Sequence, residues 1–151
     1  MGMTLGFTRV TQEQLDRAYT DPDWAEKYLR DEDLPGCYLE KAWAGIQFLL
    51  DAAGVSIDLY EDGCLIDKEC IHLGWHAGMV ADAARDLSAT PFEALAAHFD
   101  PAKMSAEEIY PYRRCWDDDD LDYLREQYVE LVEFFVATAA SGGAAIRTFS
   151  F

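Results

Sequence analysis

The sequence predicts a helix-rich α+β fold, with a small sheet that contains the N- and C-terminal strands and packs against several helices. Three observations carry this. The two ends, residues 4–10 and 144–151, alternate apolar and polar side chains as half-buried strands do. The middle places apolar residues at helical spacing, most clearly over residues 38–53, where Leu39, Trp43, Ile46 and Leu50 recur at steps of four, three and four. Helix-start chemistry then recurs along the chain at Thr11, Asp21, Thr90 and Ser105.

Taken in order, Leu5, Phe7 and Arg9 share one side of the first strand. Thr11 and Gln14 form a capping box that opens a helix through Leu15 to about Tyr19. Asp21-Pro22 starts a second helix, with Pro in the first turn where its missing N–H costs nothing. Trp24, Tyr28 and Leu29 are its apolar side, and residues 31–36 are a loop. The central helix over 38–53 follows, widened by Ala42, Leu49 and Ala53 and therefore expected deep in the core. Residues 55–60 alternate and predict a strand, Asp62-Gly63 a hairpin turn, and residues 64–66 its return. Residues 71–87 read as a helix through Trp75, Met79, Ala83 and Leu87, weakened by Gly74 and Gly78. A capping box from Thr90 to Glu93 opens a short helix that Asp100-Pro101 stops, and Ser105 and Glu108 open a single turn. The acidic run 117–120 complements the dipole of a long helix over about 119–140, ended by Gly142-Gly143.

At 151 residues the chain reads as one domain, 1–151. Its start lacks a basic segment leading into a long apolar run, so no signal peptide is expected. The strongest apolar stretch, 129–140, is interrupted by Glu130 and Glu133 and too short for a bilayer. These features predict a cytoplasmic protein whose four cysteines are reduced. A net charge of −17 sets the surface against nucleic acid and anionic membranes and toward a basic protein partner or a small molecule.

Four patterns could carry chemistry. Cys64, Cys70, His72 and His76 combine soft thiolates with imidazoles, the donor set of zinc, although the spacing matches no short knuckle and buried cysteines behave as small hydrophobes. Carboxylates are abundant, but no pair is singled out, and the Asp run lacks the spacing of a calcium loop. Cys115 after Arg113-Arg114 would be favoured as a thiolate, with His98 as a conceivable base. Tyr110, Arg114 and Trp116 belong to the sole local cluster of basic and aromatic residues in an acidic chain, the composition of a ligand-binding surface. No phosphate loop, dinucleotide fingerprint or nucleophile elbow occurs, and no cofactor is expected.

These residues also carry a resemblance. Met1-Gly2-Met3 before a strand, then Val10-Thr11-Gln12-Glu13, resembles the opening of the YfbM-like family of small bacterial proteins of unknown function. Glu40, Lys41, Ala42 and Trp43, followed by Gly45-Ile46 and Leu49-Leu50, are similar to its most recognisable motif. Phe99-Asp100-Pro101, Met104, Ile109-Tyr110-Pro111 and Trp116 match a second signature, and Ala139 to Gly142 before a final strand matches its end. Residues 55–87 depart from the family pattern, so kinship adds nothing to the metal reading. The resemblance implies an α+β fold and no activity. The expected function is therefore a non-enzymatic ligand- or protein-binding module, for example a toxin-neutralising or stress-related factor, with Glu40, Lys41, Trp43, Tyr110, Arg114 and Trp116 at its site. The alternatives are a small enzyme with a pocket around Glu40, Lys41, Tyr110 and Arg114, and a zinc-binding protein.

Overall fold

The computed structural model describes residues 2–111 and 115–151. Its sheet has five strands in the order β2-β1-β5-β4-β3: β1 (Thr4–Val10), β2 (Gly36–Tyr38), β3 (Cys64–Leu65), β4 (His72–Trp75) and β5 (Ala144–Ser150). All its pairings are antiparallel. The terminal strands lie side by side at its centre over their whole length, from Thr4↔Ser150 to Val10↔Ala144. The fold is α+β, as the alternation at the two ends predicts.

Antiparallel partners point to the same face, so this register divides the side chains into two layers. Leu5, Phe7, Ala145 and Phe149 enter the larger core. There they meet helices α3 (Trp43–Ala52), α4 (Ala77–Ser88) and α7 (Asp120–Ala140). Val10, Ala144 and Ile146 face the other way, onto α1 (Gln12–Thr20) and α2 (Pro22–Tyr28). Both predicted starts on this side form: Thr11 and Gln14 complete their capping box, and the Asp21 side chain accepts from Trp24 N–H. Glycine at 74 lets α1 approach the sheet, because a Cβ there would lie 2.7 Å from Leu15 and overlap the Tyr19 ring.

The structure corrects several local expectations. Helix α3 begins at Trp43, five residues later than its apolar stripe implies. Residues 36–38 instead pair with β1, and Leu39 N–H donates to Leu5 O at 2.9 Å. Cys37 and Leu39 are buried while Tyr38 and Glu40 are exposed, a strand alternation that ran into the helical one. Residues 55–60 form no strand: Ile57 O and Leu59 N–H are bonded instead by the Gln47 amide of α3, at 2.7 and 2.8 Å. The predicted helix over 71–87 is two elements. His72–Trp75 is strand β4, wholly buried between β5 and β3, and α4 starts at Ala77 with the His76 ring accepting from Met79 N–H.

The predicted caps after α4 also change. Thr90 turns its hydroxyl back to Asp86 O rather than forward, so α5 (Phe92–Ala96) has no side-chain cap. Asp100-Pro101 opens α6 (Pro101–Ala106), as Asp21-Pro22 opens α2, and Ser105 lies inside it. Among the described residues no helix is long and apolar enough to cross a membrane.

Candidate functional site

The turn between β2 and α3 holds the first two predicted site residues. Glu40 adopts φ 51, a left-handed conformation uncommon outside glycine, and its carbonyl accepts from Leu5 N–H at 3.3 Å. Its side chain is exposed. Lys41 lies across the chain start: a Cβ on Gly2 would fall 3.2 Å from Lys41 Nζ and 2.6 Å from the Tyr110 hydroxyl. Glycine at position 2 is therefore what admits both side chains.

Trp43 and Tyr110 complete the grip. Trp43 Nε1–H donates to Met3 O at 3.1 Å, and Met3 N–H donates to the Tyr110 hydroxyl at 2.8 Å. Two side chains distant in sequence thus satisfy both backbone groups of the residue that enters β1. Lys41, Trp43 and Tyr110 come together around Gly2 and Met3, with Glu40 contributing its backbone beside them. Trp116 lies elsewhere. It is buried between α3 and α7, its ring against the Gly45 position, its indole N–H on Ile109 O and its backbone N–H on Ser105 Oγ, each at 2.9 Å. Arg114 falls outside the described residues.

Around this grip the fold assembles an aromatic face. The Trp43 ring is nearly parallel to those of Tyr60 and Tyr110, with centroids 5.6 and 6.0 Å away. Phe149 meets Trp43 and Tyr60 edge-on, and Phe151 borders Phe149. Tyr60 is 39% and Phe151 76% exposed, so the cluster reaches the surface. On the other flank of Trp43, a groove of about 430 Å³ runs along α3, with Phe48 and Ile109 as apolar walls and Asp51 and Lys103 at its rim.

Beneath the face lies Arg147, which the sequence reading missed. It is 1% exposed and sits opposite Phe7 and Leu73 in the sheet, on the side of the large core. Its guanidinium donates to Cys70 O and Ile71 O at 3.1 and 3.2 Å and lies 5.3 Å from the Tyr60 ring centroid. Among the described residues its Nε–H has no hydrogen-bond partner, and burial lowers its pKa from the ordinary guanidinium value. The sequence signal was a charged residue at an inward position of an alternating strand. Tyr60, Phe149 and Phe151 gave none, because their neighbours are set by the tertiary fold and not by sequence spacing.

The cysteines and histidines of the zinc reading are engaged separately. Cys64 stands on β3 beside the Tyr19 hydroxyl, whose pKa is pushed up to about 12, chiefly by burial. Cys70 occupies the following turn, with its Sγ–H directed at Lys68 O. His72 Nδ1 pairs with Thr148 Oγ1 at 3.1 Å, and His76 caps α4. Among the described residues no three His, Cys, Asp or Glu side chains come together as a metal-binding group.

Comparison with known proteins agrees with the architecture. The crystal structure of YfbM from Escherichia coli, a protein of unknown function, superposes with a TM-score of 0.66. The match covers 96% of this chain and 98% of that one at 15% identity, a likeness that shows the fold alone. No curated protein matches. A family model described as a domain of unknown function, DUF1877, matches residues 1–148, nearly the whole sequence. The chain therefore belongs to the DUF1877 family, the YfbM-like proteins of unknown function.

Proposed function

We propose that the protein is a non-enzymatic binding module, built as one unit over residues 1–151, whose contact surface is the aromatic face of Tyr60, Trp43 and Tyr110. The observation that carries this reading is the near-parallel stacking of both tyrosine rings with Trp43 at a surface edged by exposed Phe151. Aromatic surfaces of this kind give a ligand or partner large contact area at low entropic cost. The polar tips of Trp43 and Tyr110 are already bonded to Met3, which fixes the rings in place. A preorganised face binds with less loss of freedom than a mobile one. Lys41 beside Tyr110 adds a cation at one end.

Two exposed positions test the reading and leave the side chains that bond Met3 in place. Affinity purification from the native host is run with the wild-type chain and with a Tyr60→Ser, Phe151→Ser double variant, each at low and high salt. The wild type should retain a stoichiometric ligand or partner that the double variant loses, while the double variant still unfolds cooperatively, with a melting temperature lower by about 2–8 °C for the ring contacts that Tyr60 and Phe151 give up. Equal retention by both chains, or none by either, counts against the aromatic face.

A further inference from the structure

A second surface lies on the opposite side of the sheet. The stretch joining β3 to β4 and the outer side of α2 bound a groove of about 590 Å³, within the roughly 300–1,000 Å³ span of small-ligand sites. Asp23 and Glu26 of α2 form one bank, and Asp67 and Glu69 the other. Among the described residues Lys68 is the one cation lining it, against four carboxylates. Ile66 and Ile71 supply apolar lining between them.

His72 provides an observation independent of the acidic banks. It lines the groove although it is only 9% exposed. Nδ1 pairs with Thr148 Oγ1, and no hydrogen bond or ion pair engages Nε2 among the described residues. Its pKa is lowered from 6.5, first by burial and further by Arg147, against the opposing pull of Asp67 and Glu26. The ring is thus neutral at pH 7. In the tautomer that donates Nδ1–H to Thr148, Nε2 is an unused acceptor. Asp67 fixes this wall, accepting from Ile71 N–H and His72 N–H at 2.9 and 2.6 Å, so its carboxylate is held, while those of Asp23 and Glu69 bond to none of the described residues. Among the described residues Glu26 pairs only with Arg30, as a surface bridge with both side chains more than half exposed, and such pairs exchange at little cost.

We propose that the groove between α2 and the β3–β4 hairpin receives a lysine- or arginine-bearing segment of a basic protein partner. The head group donates to His72 Nε2 and sits among the carboxylates, while its aliphatic stem lies on Ile66 and Ile71, as long basic side chains do on apolar surface. Charge complementarity selects the occupant: the chain carries 29 acidic against 12 basic residues, and the banks share that sign. The apolar lining favours a protein side chain with a stem over a bare cation. These observations are separate from those behind the aromatic face.

The test uses the whole chain and an amidated hexapeptide of lysine and arginine, read by imidazole ¹⁵N–¹H spectra of the three histidines. Saturable shifts are expected at His72, with those of His76 and His98 unmoved. Asp23→Asn and Glu26→Gln should each weaken peptide affinity about two- to fivefold, the range of an exposed charge pair. Asp51→Asn, which removes the same charge beside the other groove, should leave affinity unchanged. Silent His72 signals, or equal weakening by all three variants, would overturn the proposal in favour of a diffuse field. Spermine reproducing the His72 shift at tighter affinity than the peptide would overturn the protein partner in favour of a small polyamine. Trp43 signals stay still in every arm, so failure here is distinct from failure of the aromatic face.

Discussion

Trp43 serves packing, hydrogen bonding and surface at one position. Its ring borders Tyr60, Tyr110 and Phe149, and its N–H holds Met3 O. Replacing it with Phe keeps most of the apolar contact and removes the bond. The expected loss is about 1 kcal/mol, the net worth of one such bond, read as a lower urea midpoint at unchanged slope, with faster hydrogen exchange at the start of β1. The residue scale was partly legible. The pattern of an acid, a lysine, a small residue and tryptophan marked Lys41 and Trp43, and an aromatic-basic cluster marked Tyr110. The reason these residues recur together was not legible, because it is the backbone of Gly2 and Met3, some forty residues earlier than Trp43 and over a hundred before Tyr110. Trp116 was indistinguishable from Trp43 by composition. Only packing shows that it lies in the core between two helices.

Elements went astray where two periodicities overlap. Residues 36–40 satisfy strand alternation while Leu39 also falls on the helical stripe of Trp43 and Ile46, and pairing with the exposed edge of β1 decides between them. Trp75 likewise fits a step-of-four series through Met79 and Ala83, yet it is the last residue of β4. Residues 55–60 show a third case: an alternating segment whose backbone is served by a helix side chain instead of a neighbouring strand. Gln47 gives both ends of its amide to Ile57 O and Leu59 N–H. Gln47→Leu should therefore cost about 2–3 kcal/mol, because two backbone groups lose their partners together. Differential scanning calorimetry measures the loss. Exchange protection should fall most at Leu59, and a loss below ~0.5 kcal/mol would show that water replaces the amide without penalty.

At the scale of the whole molecule, the terminal strands fix the sheet, which the strand signals at the two ends made legible from the start, and helices cover it on both faces. The second layer was less so, because α1 and α2 are short and their contact with the sheet depends on Gly74 leaving room for the Tyr19 ring. Burial on these layers also sets the alkaline limit of stability. The Cys37 thiol is raised from 9.0 to about 12 by burial and then by Glu130, and the Tyr128 hydroxyl from 10.0 to about 12 by burial. In that range the folded state holds protons that the unfolded state has released, so stability falls as pH rises. The melting temperature should stay level up to about pH 9 and decline from there towards pH 12, and Cys37→Ala should flatten the first part of the decline. The central claim, that the grip on Gly2 and Met3 exists to present a binding face, is tested most directly by the indole N–H resonance of Trp43, assigned through Trp43→Phe. It is followed while a native-host extract fraction, chosen by co-purification, is added. The account predicts a saturable shift of Trp43 with Trp24 and Trp75 unmoved, abolished by Tyr60→Ser. A Trp43 signal that stays fixed throughout, or shifts equally in the Tyr60→Ser chain, would contradict it.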